Sequence, residues 1–330
     1  MENLILIPRS TVKYLLPLPF PVGRKLSNLA KTWVPPLVML AGVSLPARAI
    51  DFSVVYESTI DAAAQAVIAE ALSEYSTRFS DEVTVSLKFK NSGTGLGSSS
   101  TYRFNRPFGE YYSALIADAS TMNDQVALAS LNPSLPANQV YGPEFIQTTR
   151  AGFAAVGINV TTNHIPDYFD GRIDLNLSLT NYDRLAIDPL KYDLRAVVWH
   201  EVNEILGTSS GIGGVPTVGD IFRYRSDGAR TFTTEGDDAY FSIDGITPLA
   251  RFNQQAGLDY GDFWSGPNHL PQVQDASGTP GATPNMGVEI VMLDVVGWNA
   301  VPEPSALAMI SLTMGVSLLR RRRGVSVSGE

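Results

Sequence analysis

The amino-acid sequence predicts an α+β fold, with a mixed sheet and its helices in the first half of the body and an irregular second half. Three observations carry this expectation. Two stretches alternate with the period of a strand: Val83, Val85, Leu87 and Phe89 against Thr84, Ser86 and Lys88, and residues 173–179 after the turn Asp170-Gly171. Three stretches carry helical patterning: the Ala-rich residues 58–75, residues 109–119, and residues 193–206, which stop at Gly207. Beyond Gly207 the chain turns rich in Gly, Pro and Asp, with short strands such as residues 239–243. Residues 93–100, dense in Gly and Ser, read as a loop.

Composition narrows the chemistry. The 330 residues are 44% hydrophobic and 17% charged, an ordinary globular balance, and contain no cysteine. Disulfides, thiolate metal ligands and cysteine nucleophiles are therefore excluded. The formal net charge is -9, and both ends are basic: Arg9, Lys13, Arg24, Lys25, Lys31 and Arg48 stand against Glu2 at one end, and Arg320 to Arg323 against Glu303 and Glu330 at the other. Without those ends the body is more acidic still, at -16. Such a body is a poor partner for nucleic acid, whose phosphates require a basic face.

The ends read as an address. Arg24, Lys25 and Lys31 precede the apolar residues 33–45, which lead to Ala47-Arg48-Ala49, the small-x-small pattern of a signal-peptidase site. Residues 1–49 are accordingly expected to be a signal peptide cleaved after Ala49, and residues 50–300 the working domain. At the other end Val301-Pro302-Glu303-Pro304 precedes the apolar residues 306–319 and then Arg320-Arg321-Arg322-Arg323. As a helix that apolar segment spans about 21 Å, short of the ~30 Å hydrocarbon core, and the arginines favour the cytoplasmic side. The order Pro-Glu-Pro, apolar segment, arginine cluster resembles the PEP-CTERM sorting signal of Gram-negative bacteria. The resemblance covers residues 301–330 and implies processing by an exosortase-type membrane transpeptidase, delivery to the cell envelope or extracellular matrix, and membrane contact only through this C-terminal segment.

The chemistry-bearing motif is His200-Glu201-Val202-Asn203-Glu204. In a helix His200 and Glu204, at i and i+4, share one face, while Leu194, Val198, Val202, Ile205 and Leu206 form the face that would meet a core. Two ligands aimed into a cleft, with a carboxylate beside them to take a proton from metal-bound water, are what zinc hydrolysis requires. His200 and Glu204 are thus candidate ligands for Zn2+, and Glu201 the candidate general base. The common form of the motif has a second histidine where this chain has Glu204, and a carboxylate there weakens the metal's pull on its water. Asp220 is the expected third ligand because it follows the helix at a loop distance that returns to the cleft, with His269 and Asp262 as alternatives. Tyr224 is a candidate oxyanion donor, and residues 173–179 a candidate sheet edge for an extended peptide.

Gly207 stands three residues after Glu204, as in the metzincin pattern H-E-x-x-H-x-x-G-x-x-H, although Ser210 replaces the last histidine. Together with residues 220–224, 240–245, 259–263 and 292–298, the segment 199–207 resembles a family of PEP-CTERM-associated bacterial metallopeptidases related to metzincins. That resemblance implies a metzincin-like zincin fold, zinc endopeptidase activity on protein or peptide substrates, and Met292 in a methionine turn beneath the metal. Two other classes remain open on the residues alone. One is a non-catalytic envelope or matrix-binding protein on a degenerate zincin fold. The other is a carboxylate-pair hydrolase of polysaccharide, for which Asp259-Tyr260-Gly261-Asp262-Phe263-Trp264 is the nearest signature.

Overall fold

Strand alternation begins at β1 (Asp51–Tyr56) in the computed structural model, which describes residues 49–131, 145–234 and 238–301. Residues 1–48 and 302–330, which hold nearly all of the expected signal peptide and sorting tail, lie outside the described residues. Asp61 caps α1 (Ala62–Arg78), its side chain accepting from the Ala64 amide at 2.8 Å, so this helix starts four residues later than its Ala-rich pattern suggested. Ala64, Ile68, Ala71, Leu72 and Tyr75 are the buried stripe of α1, spaced as one helical face. In β2 (Thr84–Asn91) the alternation is as read, with Val85, Leu87 and Phe89 buried.

Residues 97–100 are not loop. They form β3 (Gly97–Ser100), whose backbone pairs antiparallel with a later strand, so ladder hydrogen bonds override the turn preference of Gly and Ser. The chain then makes β4 (Phe104–Pro107), α2 (Phe108–Asp118), α3 (Met122–Ser130), β5 (Phe145–Thr148) and α4 (Arg150–Ala155). After β6 (Gly171–Leu175), β7 (Thr180–Asn181) and β8 (Tyr192–Asp193) comes the long-patterned helix, α5 (Leu194–Asn203).

The four-stranded sheet has the order β1-β2-β6-β3, with β1, β2 and β6 parallel and β3 antiparallel on the edge. Residues 173–175 are therefore interior, and the expectation that 173–179 supplies an open edge is corrected: that edge is β3. The missed cue is the burial of Ile173 and Leu175, both fully buried, as an interior strand requires. Asp170 ties the start of β6 to β2 and α4. Fully buried, it accepts from Arg150 Nε at 2.7 Å, the Ser86 amide at 2.8 Å and the Tyr168 hydroxyl at 2.9 Å.

α5 is clamped to α1 by polar bonds as well as packing. The Trp199 indole donates to the Ala71 carbonyl at 3.0 Å, and the Tyr75 hydroxyl to Asn203 Oδ1 at 2.7 Å. Past the helix the second half is irregular, as expected, with short strands β9 (Arg223–Arg225), β10 (Ala239–Phe241) and β11 (Ala250–Arg251) in one antiparallel sheet. Its core is a ladder of rings, Phe222, Phe241, Phe252 and Phe263, meeting edge to face at centroid distances of 6.4, 6.4 and 6.0 Å. Then α6 (Val288–Val295) returns to pack beneath the end of α5, where the Trp298 indole donates to the Leu206 carbonyl at 2.9 Å. Among the described residues no helix is long and apolar enough to cross a membrane.

Candidate metal centre

The inner face of α5 is set by Leu194, Val198 and Val202, all fully buried, and this leaves His200 and Glu204 on the open side. Asp193 caps the helix at its start. At its end the backbone widens into a π-type turn, Glu204–Thr208, and Gly207 breaks away at φ 142°, a conformation that a side chain resists. The exit from the helix thus falls where the Gly207 spacing predicted it.

His200 Nε2 lies 3.6 Å from Glu204 Oε1 and 3.5 Å from Asp262 Oδ1. One ligand atom from each of these three residues falls within 4.8 Å of the others, the one such group among the described residues. Each member is held by an outer partner. His200 Nδ1 meets the Val273 carbonyl at 3.0 Å; a carbonyl only accepts, so Nδ1 carries a proton and Nε2 is the nitrogen that faces the carboxylates. Glu204 Oε2 accepts from the Ser99 hydroxyl at 2.6 Å, and Asp262 Oδ1 from the Gln274 amide at 3.0 Å. Asp262 reaches the group because Phe263, its neighbour, ends the ring ladder, and because the Asn253 amide donates to the Asp262 carbonyl at 2.8 Å.

The group concentrates negative charge in a buried place, and bound protons offset it. Burial pushes the Glu201 carboxyl up to about 8, with the Glu204 and Asp262 carboxylates adding to it against the pull of His200. Burial likewise lifts Asp262 to about 7, opposed by His200 and reinforced by Glu204 and Asp259. For His200 burial works against the imidazolium, yet Asp262, Glu204 and Glu201 outweigh it and hold the ring well above its ordinary value. Burial also opposes ionised Glu204, but the bond and charge of His200, with Ser99 and Arg103, keep that carboxyl below its ordinary value. One imidazole nitrogen and two carboxylates fit a divalent ion, whose charge the pair of carboxylates neutralises.

Asp220, the expected third ligand, is elsewhere. It is buried at 3% exposure, with Oδ1 accepting from the Ser210 hydroxyl at 2.7 Å and Oδ2 from the Gly211 and Thr217 amides at 2.7 and 2.8 Å. It organises the loop 209–220 and is not part of the group; Asp262 completes the triad instead. A signal for this lay in the sequence: Thr217 and Asp220, three residues apart where the short 3-10 turn Asp220–Phe222 begins, bond reciprocally, the Thr217 amide to Asp220 Oδ2 and the Asp220 amide to Thr217 Oγ1. His269 is also committed, Nδ1 to the Gly266 carbonyl and Nε2 to Asp275 Oδ2, both at 2.7 Å. The Tyr224 hydroxyl bonds to Ser130 Oγ at 3.2 Å and the ring is buried, away from the role of oxyanion donor. Met292 lies inside α6, fully buried, and not in a turn. Arg103, which no motif singled out, donates to the Ser210 carbonyl at 2.8 Å and lends positive charge to Glu204 and Asp259.

Glu201 is buried at 5% exposure beneath β3. A Cβ on Gly97 would stand 2.3 Å from Glu201 Oε1 and 2.8 Å from Val197 Cγ1, so the missing side chain is what makes room for the carboxylate. Gly97→Ala is expected to force Glu201 and β3 apart and to lower Tm, which thermal melts against the parent check. His200 and Glu201 open together onto a cleft of about 350 Å³ that runs along α5.

No protein-family model matches this chain, and neither a curated protein nor a solved structure does.

Proposed function

We propose that this chain is an exported zinc-dependent peptidase with a metzincin-like arrangement of edge strand, active-site helix and irregular second half. The observation that supports it most directly is the convergence of His200, Glu204 and Asp262 with the buried Glu201 beside a cleft. His200, Glu204 and Asp262 would hold the ion. Bound there, zinc would lower the pKa of a water and polarise a substrate carbonyl. Glu201 would take a proton from the attacking water and pass it to the leaving amine, a role open to a buried carboxylate beside the ligand group. Ser99, Gln274 and the Val273 carbonyl keep the three ligand side chains oriented. The antiparallel edge β3 passes over Glu201 and Glu204 and offers its backbone to an extended peptide. The leader and the Pro-Glu-Pro tail support an envelope location on the Gram-negative cell surface, with an exosortase-type enzyme as the sorting partner.

Zinc analysis of the purified protein, with peptide cleavage measured before and after chelation, tests the reading. Less than a tenth of an equivalent of zinc after loading would sink it, whereas zinc without any cleavage would favour a non-catalytic envelope or matrix-binding protein.

The pKa shifts give a further expectation. In the metal-free fold Glu201 and Asp262 sit at about 8 and about 7, above their ordinary values, so the fold binds more protons than the unfolded chain. The contribution of these two groups to stability is full at low pH and is lost as pH rises toward 8; raised His200 acts in the same direction and lowered Glu204 in the opposite one. Zinc must displace protons from the same group, so its affinity rises with pH by about tenfold per unit for each proton displaced. Thermal melts are expected to show a larger zinc-induced rise in Tm at pH 8 than at pH 6. The reverse order would exclude this proton–metal competition.

A further inference from the structure

Arg223, the first residue of β9, is fully buried and belongs to none of the candidate ligand pairs. Its bonds go to backbone carbonyls: Nη1 donates to the Tyr260 carbonyl at 2.7 Å and Nη2 to the Asn253 carbonyl at 3.4 Å. The guanidinium also lies 4.6 Å from the centre of the Phe252 ring, a rung of the ring ladder, while its Nε is buried with no acceptor. Burial pulls the group down to about 10, against the charges of Asp220 and Asp259, so it is still a cation at neutral pH. Desolvating a cation for two carbonyls and a ring is an unfavourable way to fill a core, and apolar side chains of like volume serve stability as well.

The bonds converge on one loop. Phe252 and Phe263 pair antiparallel, and residues 253–262 run between them. Asn253 opens that loop and Tyr260 stands two residues before Asp262, so a single guanidinium ties its two legs together. Asn253 adds to the tie: its backbone amide donates to the Asp262 carbonyl and its side-chain amide to the Asp259 carbonyl, both at 2.8 Å. A second contact sets the loop against the end of α5. A Cβ on Gly261 would stand 2.5 Å from the Thr208 carbonyl oxygen and 2.8 Å from the Ser210 nitrogen, so the loop rests directly on the chain leaving that helix. Asp262, the next residue, then meets His200 at 3.5 Å. A planar fork reaches two carbonyls at a fixed separation, which an ammonium on a flexible stem does not.

We propose that Arg223 is a positioning residue for the metal centre, its guanidinium clamping the loop 253–262 so that Asp262 stands beside His200 before any ion arrives. The proposal rests on the reading of Asp262 as a metal ligand, and it requires a coupling: Arg223 affects zinc affinity only while the Asp262 carboxylate is present.

A double-mutant cycle on the full chain tests this, with zinc affinity read by competition with indicators of graded strength and folding by metal-free thermal melts. Arg223→Met, which keeps an apolar stem and removes every donor, is expected to weaken zinc binding by about tenfold, the low end for losing an outer partner. In the Asp262→Ala background the same substitution is expected to change zinc affinity by less than about twofold. Arg223→Lys keeps the charge and loses the fork, and it carries the same cycle should Arg223→Met fail to fold. Parental zinc affinity in the folded Arg223 variant, or an equal loss with and without Asp262, overturns the proposal. Hydrogen exchange in the metal-free protein supplies a readout that needs no zinc. The Asn253 amide is expected to exchange about tenfold or more faster in the Arg223 variant, while amides inside α5 keep parental protection. Unchanged exchange at Asn253 overturns the clamp even where zinc binds. A parent protein that takes up no zinc, in which the Arg223 variant still speeds Asn253 exchange, would overturn the proposal through the metal reading and not through the clamp.

Discussion

Replacing Glu201 by glutamine is expected to leave zinc bound and to lower peptide turnover by about 10²-fold or more. The substitution keeps the shape that fits under Gly97, where the carboxylate lies against β3, and removes only the ability to carry a proton. Glu201 belongs to none of the three ligand pairs, which are formed by His200, Glu204 and Asp262, so metal content is expected to stay within measurement error of the parent. Glutamine also removes the carboxyl that burial raises to about 8, and with it one proton released on metal binding. The acidic limb of the rate–pH profile should flatten in any residual activity. Full turnover in the glutamine variant would remove Glu201 from the reaction.

Asp262→Ala is the second large effect. It takes away one of the two carboxylates that neutralise the cation, leaving His200 and Glu204 as a pair, so zinc affinity is expected to fall beyond the about 10–100-fold typical of losing an outer partner. Asp220→Ala provides the contrast. Its carboxylate accepts from the Gly211 and Thr217 amides and from the Ser210 hydroxyl, and truncation orphans these donors, of which the Thr217 amide is buried. That variant is expected to lose about 2–4 kcal/mol of stability with zinc affinity close to the parent's. Competition titrations with a zinc indicator, read beside thermal melts, separate the two. Zinc lost in a folded Asp220→Ala protein but kept in Asp262→Ala would reverse the assignment made from the geometry.

The contrast between these two aspartates shows where sequence reading stops. His200, Glu201 and Glu204 were legible because a helix converts spacing directly into geometry: i and i+4 share a face whatever the rest of the chain does. The buried side of α5 was legible for the same reason, and Leu194, Val198, Val202, Ile205 and Leu206 are all fully buried. Asp220 and Asp262 both follow in irregular chain, and loop length alone does not say which one returns. What selects Asp262 is the ring ladder ending at Phe263 and the bond from Gln274, contacts between segments far apart in sequence.

The sheet divides in the same way. Alternation identified β2 and the start of β6, since each strand's period is local. Strand order is not local, so the edge was assigned to residues 173–179, and the true edge, β3, was hidden by glycine and serine that composition alone marks as loop. By itself the sequence determined the α+β class, the helix that carries His200, Glu201 and Glu204, and the exit at Gly207, all features fixed by short-range backbone periodicity. Only the tertiary structure decided the third member of the triad, the outer partners Ser99 and Gln274, and the strand that roofs Glu201. Those depend on through-space packing and on which buried polar groups find each other, which no local pattern encodes.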